Sequence, residues 1–329
     1  MKHCLLSVYF RNSFIFIPKI SMSYEQLKTA AMSKTLSRNQ FNLLTTLASS
    51  QQALSQREIA KRAGFSLGTA NRLLAELTKN GLVCENKISE KGLCALEPFR
   101  AKKAVFLAAG FGSRMVPVTL NTPKPLVRVN GQRLIDGLID AVLAIGITDI
   151  TVVRGYLGEQ FDQLLYKYPM IKFLENPIYN ESNNISSALV ARFGLSNAYV
   201  LESDLLLKNP AILQKYHYKS DFLGIPKKRS DDWCFTVKNG VITEEKFGGL
   251  DCYQMVGISY WNTEDGAKLS EHLHQAFEQP GGKEHYWEQV PLCIFKKEYN
   301  VGILECTEKD VVEIDTFREL MQIDKSYDT

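Results

Sequence analysis

The residues best suited to chemistry follow a short apolar run. Lys102 to Ala109 reads KKAVFLAA and leads into Gly110-Phe111-Gly112-Ser113-Arg114, then Thr122-Pro123-Lys124-Pro125-Leu126. A strand that ends in a glycine-rich loop brings backbone N–H groups close to a phosphate chain, because residues without side chains permit the approach. Spacing excludes two familiar loops: G-x-G-x-x-G would need glycine where Met115 stands, and G-x-x-x-x-G-K-[ST] is absent. What remains is a Gly-x-Gly turn with two fixed cations, Arg114 and the proline-flanked Lys124. That set suits a nucleoside triphosphate attacked at its α-phosphate, where cations and amides neutralise charge on the departing pyrophosphate.

Two aspartates complete such a site. Asp204 follows the strand-like run Ala198 to Glu202, and Asp315 follows Val311 to Ile314. One carboxylate from each of two strand ends, with substrate phosphates and waters, is a usual way to hold Mg²⁺. Further along, aromatics are interleaved with acids: Asp232-Trp233, Glu284-His285-Tyr286-Trp287-Glu288, and Glu313. A quaternary ammonium cannot donate a hydrogen bond and is held by aromatic faces beside a negative charge, so Trp233, Tyr286, Glu284 and Glu313 suit a choline-like headgroup. Trp261, in the strand-like GISYW, is assigned to the core. His272 and His274 are two apart and face different ways on a helix; His217 and His285 have no companion that would make a triad.

These groups need elements to position them. A helical stretch, Leu134 to Ile145, then a strand, Ile150 to Val153, ending at Arg154-Gly155-Tyr156, continue a βαβ rhythm. The fold class expected is α/β, a Rossmann-like doubly wound mixed sheet, with ligands collected beyond the carboxyl ends of its strands. Glu181-Ser182-Asn183-Asn184-Ile185-Ser186-Ser187 reads as a polar segment before the helix that leads to the Asp204 strand.

The run LAAGFGSRMVPVTLNTPKPLV resembles the signature of the nucleotidyltransferases that make nucleotide-sugars and related activated alcohols. Leu107, Ala108, Ala109, Gly110, Gly112, Ser113, Arg114, Pro117, Thr119, Pro123, Lys124 and Leu126 stand on matching positions. The resemblance extends from about Lys103 to Ile323, and its later motifs look most like the phosphocholine cytidylyltransferase branch. It implies nucleotide contacts from Leu107, Ala108, Ala109, Gly110, Gly112, Ser113, Arg114, Lys124, Gly155, Tyr156 and Asn183. It also implies acceptor contacts from Ser187, Trp233, Glu284, Tyr286 and Glu313, catalytic roles for Arg114, Lys124 and Asp204, and Mg²⁺ on Asp204 and Asp315. The activity implied is transfer from CTP to phosphocholine or a similar phosphorylated amino alcohol. Sugar-phosphate, inositol-phosphate or aminoethylphosphonate acceptors, or a metabolite-sensing transcriptional regulator built on this fold, stay open.

Ahead of this region the character of the chain changes. Residues 1–102 carry 15 Lys and Arg against 6 Asp and Glu, a balance of +9, whereas residues 103–329 carry 24 against 30, a balance of −6. Such asymmetry indicates two modules with different partners. Three helical patterns follow one another: Arg38 to Ser50, a second opening at the capping box Ser55/Glu58 and ending near Gly64, and a third from Ser66 to Asn80-Gly81 with Ala70, Leu73, Leu74 and Leu77 on one face. Alternating segments at Gly81 to Asn86 and Gly92 to Leu96 complete a pattern similar to the winged helix-turn-helix domains of bacterial regulators. That resemblance points to DNA contacts from Ser66, Thr69, Asn71 and Arg72 on the third helix and Lys87 and Lys91 on the wing; protein contact or dimerisation is the alternative.

The expected division is a disordered tail or over-long start at 1–34, a winged module at 35–100 and a nucleotidyltransferase domain at 101–329. No run approaches the roughly 20 apolar residues of a spanning helix, and Arg11 interrupts the apolar start, which argues against a signal peptide. The seven cysteines are odd in number and never spaced C-x-x-C, against a disulfide framework, zinc knuckle or redox pair. A cytoplasmic setting is expected.

Overall fold

A computed structural model describes residues 36–50 and 52–328, so the expected tail at 1–34 lies outside the described residues. The first elements among the described residues are α1 (Arg38–Ala48), α2 (Gln56–Ala63) and α3 (Leu67–Lys79). Each opens on a serine. Ser37 and Ser55 form reciprocal capping boxes with Gln40 and Glu58, and Ser66 Oγ accepts from the Thr69 amide, which satisfies donors left without partners at a helix start. Leu73, Leu74 and Leu77 of α3 share one core with Phe41, Leu44, Leu47 and Ile59. Leu77 has no exposed surface, so truncating it to alanine would cost about 2–5 kcal/mol.

The wing is shorter than the sequence suggests. It consists of β1 (Val83–Cys84) paired antiparallel with β2 (Lys87–Ile88) across a two-residue turn, Glu85-Asn86, with φ of 49° and 56° at the two positions, the backbone that matches strand twist in a tight hairpin. Residues Gly92 to Leu96, expected as the returning strand, belong instead to α4 (Glu90–Leu96). The reason is local: Ser89 Oγ accepts from the Gly92 amide at 3.0 Å, capping a segment with Glu90 in its first turn. Lys91 therefore rides on a helix rather than the wing, and its Nζ donates to the Asn80 carbonyl at the end of α3.

The larger part contains β3 (Lys103–Ala108), the small hairpin β4 (Arg128–Val129) and β5 (Gln132–Arg133), α5 (Leu134–Ala144), β6 (Asp149–Arg154) and β7 (Lys172–Glu175). There follow α6 (Ile185–Val190), β8 (Ala198–Glu202), β9 (Leu205–Leu207), β10 (Asp221–Lys238), β11 (Val241–Trp261), α7 (Thr263–Phe277), β12 (Gly302–Glu305), β13 (Val311–Glu313) and α8 (Phe317–Ile323). One sheet runs β10-β12-β11-β8-β3-β6-β7. β3 is parallel to both of its neighbours, β6 and β8, while β11 is antiparallel to β8, so the sheet is mixed.

A strand covered on both faces is apolar throughout, which explains KAVFLA. Ala104, Phe106 and Ala108 face Ile135, Leu138, Ile139 and Val142 of α5. Val105 and Leu107, one step out of phase, face Ala188 of α6 and Leu269 and Leu273 of α7. Trp261 is fully buried on that second face. β10 and β11 are long and form a bulged antiparallel arm, with a register shift between Ser230 and Trp233. β13 pairs antiparallel with β9, setting Glu313 opposite Leu205.

The winged domain packs on the larger part through Tyr218. Its ring lies 5.7 Å from that of Phe99, nearly parallel, and 5.3 Å from that of Phe41. Its hydroxyl donates to the Leu36 carbonyl at 3.2 Å.

Candidate active site

The chemistry begins where β3 runs out. Gly112 sits at φ 62°, in the left-handed region, and heads a 3₁₀ turn at Ser113–Met115. A Cβ there would lie 2.8 Å from Lys124 Cβ and 3.2 Å from Thr119 Cγ2, so the turn needs glycine for its backbone and for its closeness to Lys124. Thr119 Oγ1 donates to the Gly112 carbonyl at 2.9 Å and fixes the other side of the loop. Pro123 and Pro125 bracket Lys124 at the start of a second 3₁₀ turn, Lys124–Leu126.

Lys124 is the hub. Its Nζ donates to Asp204 Oδ2 at 2.7 Å and to Asp315 Oδ1 at 3.1 Å. Burial opposes its charge, but the two carboxylates outweigh burial and raise its pKa above the ordinary lysine value. Arg114 Nη2 donates to the same Asp315 Oδ1 at 2.6 Å. The two aspartates, 111 positions apart in sequence, thus converge because β9 and β13 pair next to them.

A second acidic group lies beside this one. Glu202, Asp204 and Glu313 each offer an oxygen within 4.8 Å of the others. Burial, then repulsion from Asp204 and Glu202, pushes the Glu313 carboxyl up to about 10. Burial, then Asp204, raises Glu202 far above the usual carboxylate range. Asp204 Oδ1 is buried with no hydrogen-bond partner among the described residues. Clustered carboxyl oxygens and an orphaned carboxylate atom fit a hard divalent cation, which takes oxygen ligands and, by displacing their protons, restores the charge that burial suppresses. Asp204 belongs to both groups. Asp315, expected as the second metal ligand, is shared by Lys124 and Arg114, and Glu313, expected at the acceptor, joins the acidic group.

All of this opens into a cavity of ≈ 660 Å³. Leu107, Ala108, Ala109, Gly110, Gly112, Ser113, Arg114 and Lys124 line it, and so do Asn183, Ser187, Asp204, Glu313 and Asp315. Trp233, Phe247 and Tyr286 gather in its wall with Asp232 beside Trp233. The Trp233 ring is 5.5 Å from Tyr286 and 5.9 Å from Phe247, edge to face in both cases. Ser187 lies inside α6 rather than before it; Asn176 Nδ2 donates to its hydroxyl and to that of Ser186, both at 3.0 Å. Asn183 N donates to Lys283 O at 2.8 Å, and Trp287 N donates to Asn184 Oδ1 at 2.8 Å. These bonds stitch the approach to α6 onto the segment bearing Tyr286.

Three expected contacts are not brought to the cavity. Glu284 is exposed and is not among the lining residues; its backbone carbonyl accepts from Asn183 Nδ2 at 3.3 Å and its amide donates to the Gly281 carbonyl at 3.1 Å. Gly155 and Tyr156 stand behind the loop. The Tyr156 hydroxyl donates to the Thr119 and Leu120 carbonyls at 3.0 and 3.2 Å, and a Cβ on Gly155 would lie 2.7 Å from Tyr179 Cγ. Conversely, Glu202, Asp232, Phe247 and Glu288 line the cavity without having been assigned to it. Glu288 is buried, which, with Glu245 nearby, pushes its carboxyl up to about 8. Glu202 had a readable signal, an acid two residues before Asp204 at the end of an apolar strand. Glu288 lies four residues beyond the acid chosen in its place.

A glycine loop at the carboxyl end of a central parallel strand, a lysine held by two aspartates and an acidic group facing one cavity define an α/β nucleotidyltransferase. Residues 103–223 match the Nucleotidyl transferase family and residues 34–87 match the MarR family. The chain is 35% identical to a 2-aminoethylphosphonate cytidylyltransferase of Lancefieldella rimae, covering 68% of this chain and 92% of that protein. It is 30% identical to a choline-phosphate cytidylyltransferase of Streptococcus pneumoniae, covering 68% and 97%. A solved CTP:phosphocholine cytidylyltransferase from Streptococcus pneumoniae superposes with a TM-score of 0.64 at 27% identity, over 69% of this chain and 99% of that one. The chain belongs to the cytidylyltransferases of the nucleotidyl transferase family, with a MarR-type winged-helix domain in front.

Proposed function

We propose that the protein joins CTP to phosphocholine, or a similar phosphorylated amino alcohol, to give CDP-choline and pyrophosphate. The observation that carries this reading is one cavity lined both by Lys124 between Asp204 and Asp315 and by the clustered rings of Trp233, Phe247 and Tyr286. The acceptor's phosphate oxygen attacks the α-phosphorus of CTP in line and the bond to pyrophosphate breaks. That oxygen is already anionic, so no general base is needed and positioning carries the rate. Lys124 and Arg114 neutralise charge accumulating on the leaving group, while the aromatic cluster holds the ammonium by its ring faces. Mg²⁺, held by Asp204 with Asp315, Glu202 and Glu313 beside it, would add positive charge at the phosphate oxygens.

A second reading, 2-aminoethylphosphonate as acceptor, is supported by Asp232 beside Trp233, since a primary ammonium donates to a carboxylate, and by the 35% identity to a protein of that name. The test is pyrophosphate release with CTP and Mg²⁺, comparing kcat/KM for phosphocholine, 2-aminoethylphosphonate and a neutral sugar phosphate. Higher kcat/KM for phosphocholine supports the first reading. A preference for the phosphonate replaces it with the second, and no release with either amine removes both.

We further infer that the winged domain meets DNA through Ser66, Asn71 and Arg72, which are exposed on α3, with Thr69 half-buried beside them and Lys87 exposed on the wing. Gel shifts over a salt series test this, because phosphate contacts weaken steeply with salt; absence of a shift at low salt would refute it.

A further inference from the structure

A second cavity, of ≈ 570 Å³, lies where the winged domain meets the sheet edge. α1 supplies Arg38, Asn42, Thr45 and Thr46 to its wall and α2 supplies Arg62; the opposite wall has Lys219, just before β10, and Asn239 from the β10–β11 turn. Three cations face it against one carboxylate, Asp221, and that carboxylate is turned onto His217 Nδ1 at 2.8 Å. His217 Nε2 in turn lies 2.7 Å from the Tyr199 hydroxyl, so Asp221 is held in a fixed, buried floor as a single counter-charge to the three cations.

The cations are crowded rather than paired. The Arg38 guanidinium lies over the Tyr218 ring, 5.1 Å from its centre. Among the described residues Lys219 donates to neutral oxygens, Asn300 Oδ1 at 3.2 Å and Gly240 O at 3.4 Å. Burial, then the charge of Arg38, depresses the Lys219 pKa against the opposing pull of Asp221, the effect expected where gathered like charges outweigh their one counter-charge. Gly302 lies directly beneath: a Cβ there would come within 2.7 Å of Lys219 Cε.

We propose that this interdomain cavity is a binding site for a small anion carrying phosphate, separate from the catalytic cavity. A surplus of positive charge with neutral amide and hydroxyl groups between suits a ligand of two or more negative charges, which a phosphate or pyrophosphate group carries and a single carboxylate does not. Arg62 stands two residues before Gly64, where the chain turns toward α3. A bound anion therefore ties α1 and α2 to the sheet edge and fixes how α3 is presented.

The test uses the full chain carrying Lys124→Ala with Arg114→Ala, which removes both fixed cations from the catalytic cavity, titrated calorimetrically with inorganic pyrophosphate without divalent metal. Saturable binding tighter than about 1 mM is expected. Adding Arg38→Gln and Lys219→Gln should weaken it by about tenfold or more, with hydrogen exchange in α1 and α2 slowed by pyrophosphate only when these side chains are present. The exposed Arg62→Gln alone should weaken binding in the same direction should the combined variant fold poorly. A competing titration with CMP separates the sources: displacement of pyrophosphate assigns a nucleoside phosphate, and no displacement assigns an inorganic one. Absence of binding, or binding indifferent to Arg38, Lys219 and Arg62, would overturn the proposal.

Discussion

Replacing Gly112 with alanine probes the loop at its tightest point. At φ 62° the new side chain adopts a conformation that costs about 1–2 kcal/mol for an L-residue. Its Cβ would also lie 2.8 Å from Lys124 Cβ, closer than carbon atoms pack. Thr119 Cγ2 at 3.2 Å blocks the other direction, and the flanking prolines limit how Lys124 can yield. Lys124 Nζ holds its two aspartates at 2.7 and 3.1 Å, so a retreat of its stem moves the hub itself. A displacement of about 1 Å at such a centre costs on the order of 10²-fold in rate. We expect kcat for pyrophosphate release to fall by about that factor and the melting temperature to fall by about 2–8 °C. Gly110→Ala is the contrast, since nothing lies within 4 Å of a Cβ there; it should melt with the wild type and lose only nucleotide affinity. Wild-type melting and turnover in Gly112→Ala would refute the reasoning, as would a Gly110→Ala protein that melts as early.

Asp204→Asn should keep the fold and lower kcat by about 10²- to 10³-fold, because it removes a charge shared by Lys124 and the acidic group; steady-state kinetics beside circular dichroism check this. Trp233→Ala should raise KM for the amine acceptor about 5- to 30-fold with KM for CTP unchanged, matching a ring–cation contact of about 1–2 kcal/mol. Glu245 tests pH dependence: burial pushes its carboxyl from the ordinary 4.5 to about 7, and its Oε1 has no hydrogen-bond partner among the described residues. A raised carboxyl pKa favours the folded state at low pH, and that advantage is lost as pH rises from about 4.5 to about 7, a span worth about 3 kcal/mol. Urea unfolding from acid to mildly alkaline pH should therefore show Glu245→Gln gaining on the wild type as pH rises, and parallel curves would contradict the assignment.

Much of the fold was legible because its signals are local. KAVFLA followed by Gly-x-Gly announces a buried strand and its loop, and Ser55 with Glu58 announces a helix start, each within a few residues. What stayed hidden depended on distance in the chain. Glu288 and Glu284 are both acids in one aromatic segment, and only the hydrogen bonds from Asn183 and Trp287 decide which faces the cavity. Tyr156 ends a strand where ligands gather, yet its hydroxyl is spent on Thr119 and Leu120. The returning wing strand was misread because one cap, Ser89, turns an alternating pattern into a helix. The convergence of Asp204 and Asp315 on Lys124 follows from the β9–β13 pairing, which neither strand reveals alone.

The same long reach has a consequence during synthesis. Lys124 meets Asp315 across 191 positions, so a growing polypeptide still attached to the ribosome has no complete catalytic centre until Asp315 has emerged. The leading helices, whose contacts are mostly short-range, can assemble far sooner, with Phe41 and Phe99 left bare until Tyr218 arrives. Translation thus delivers the module at the front first and catalysis last.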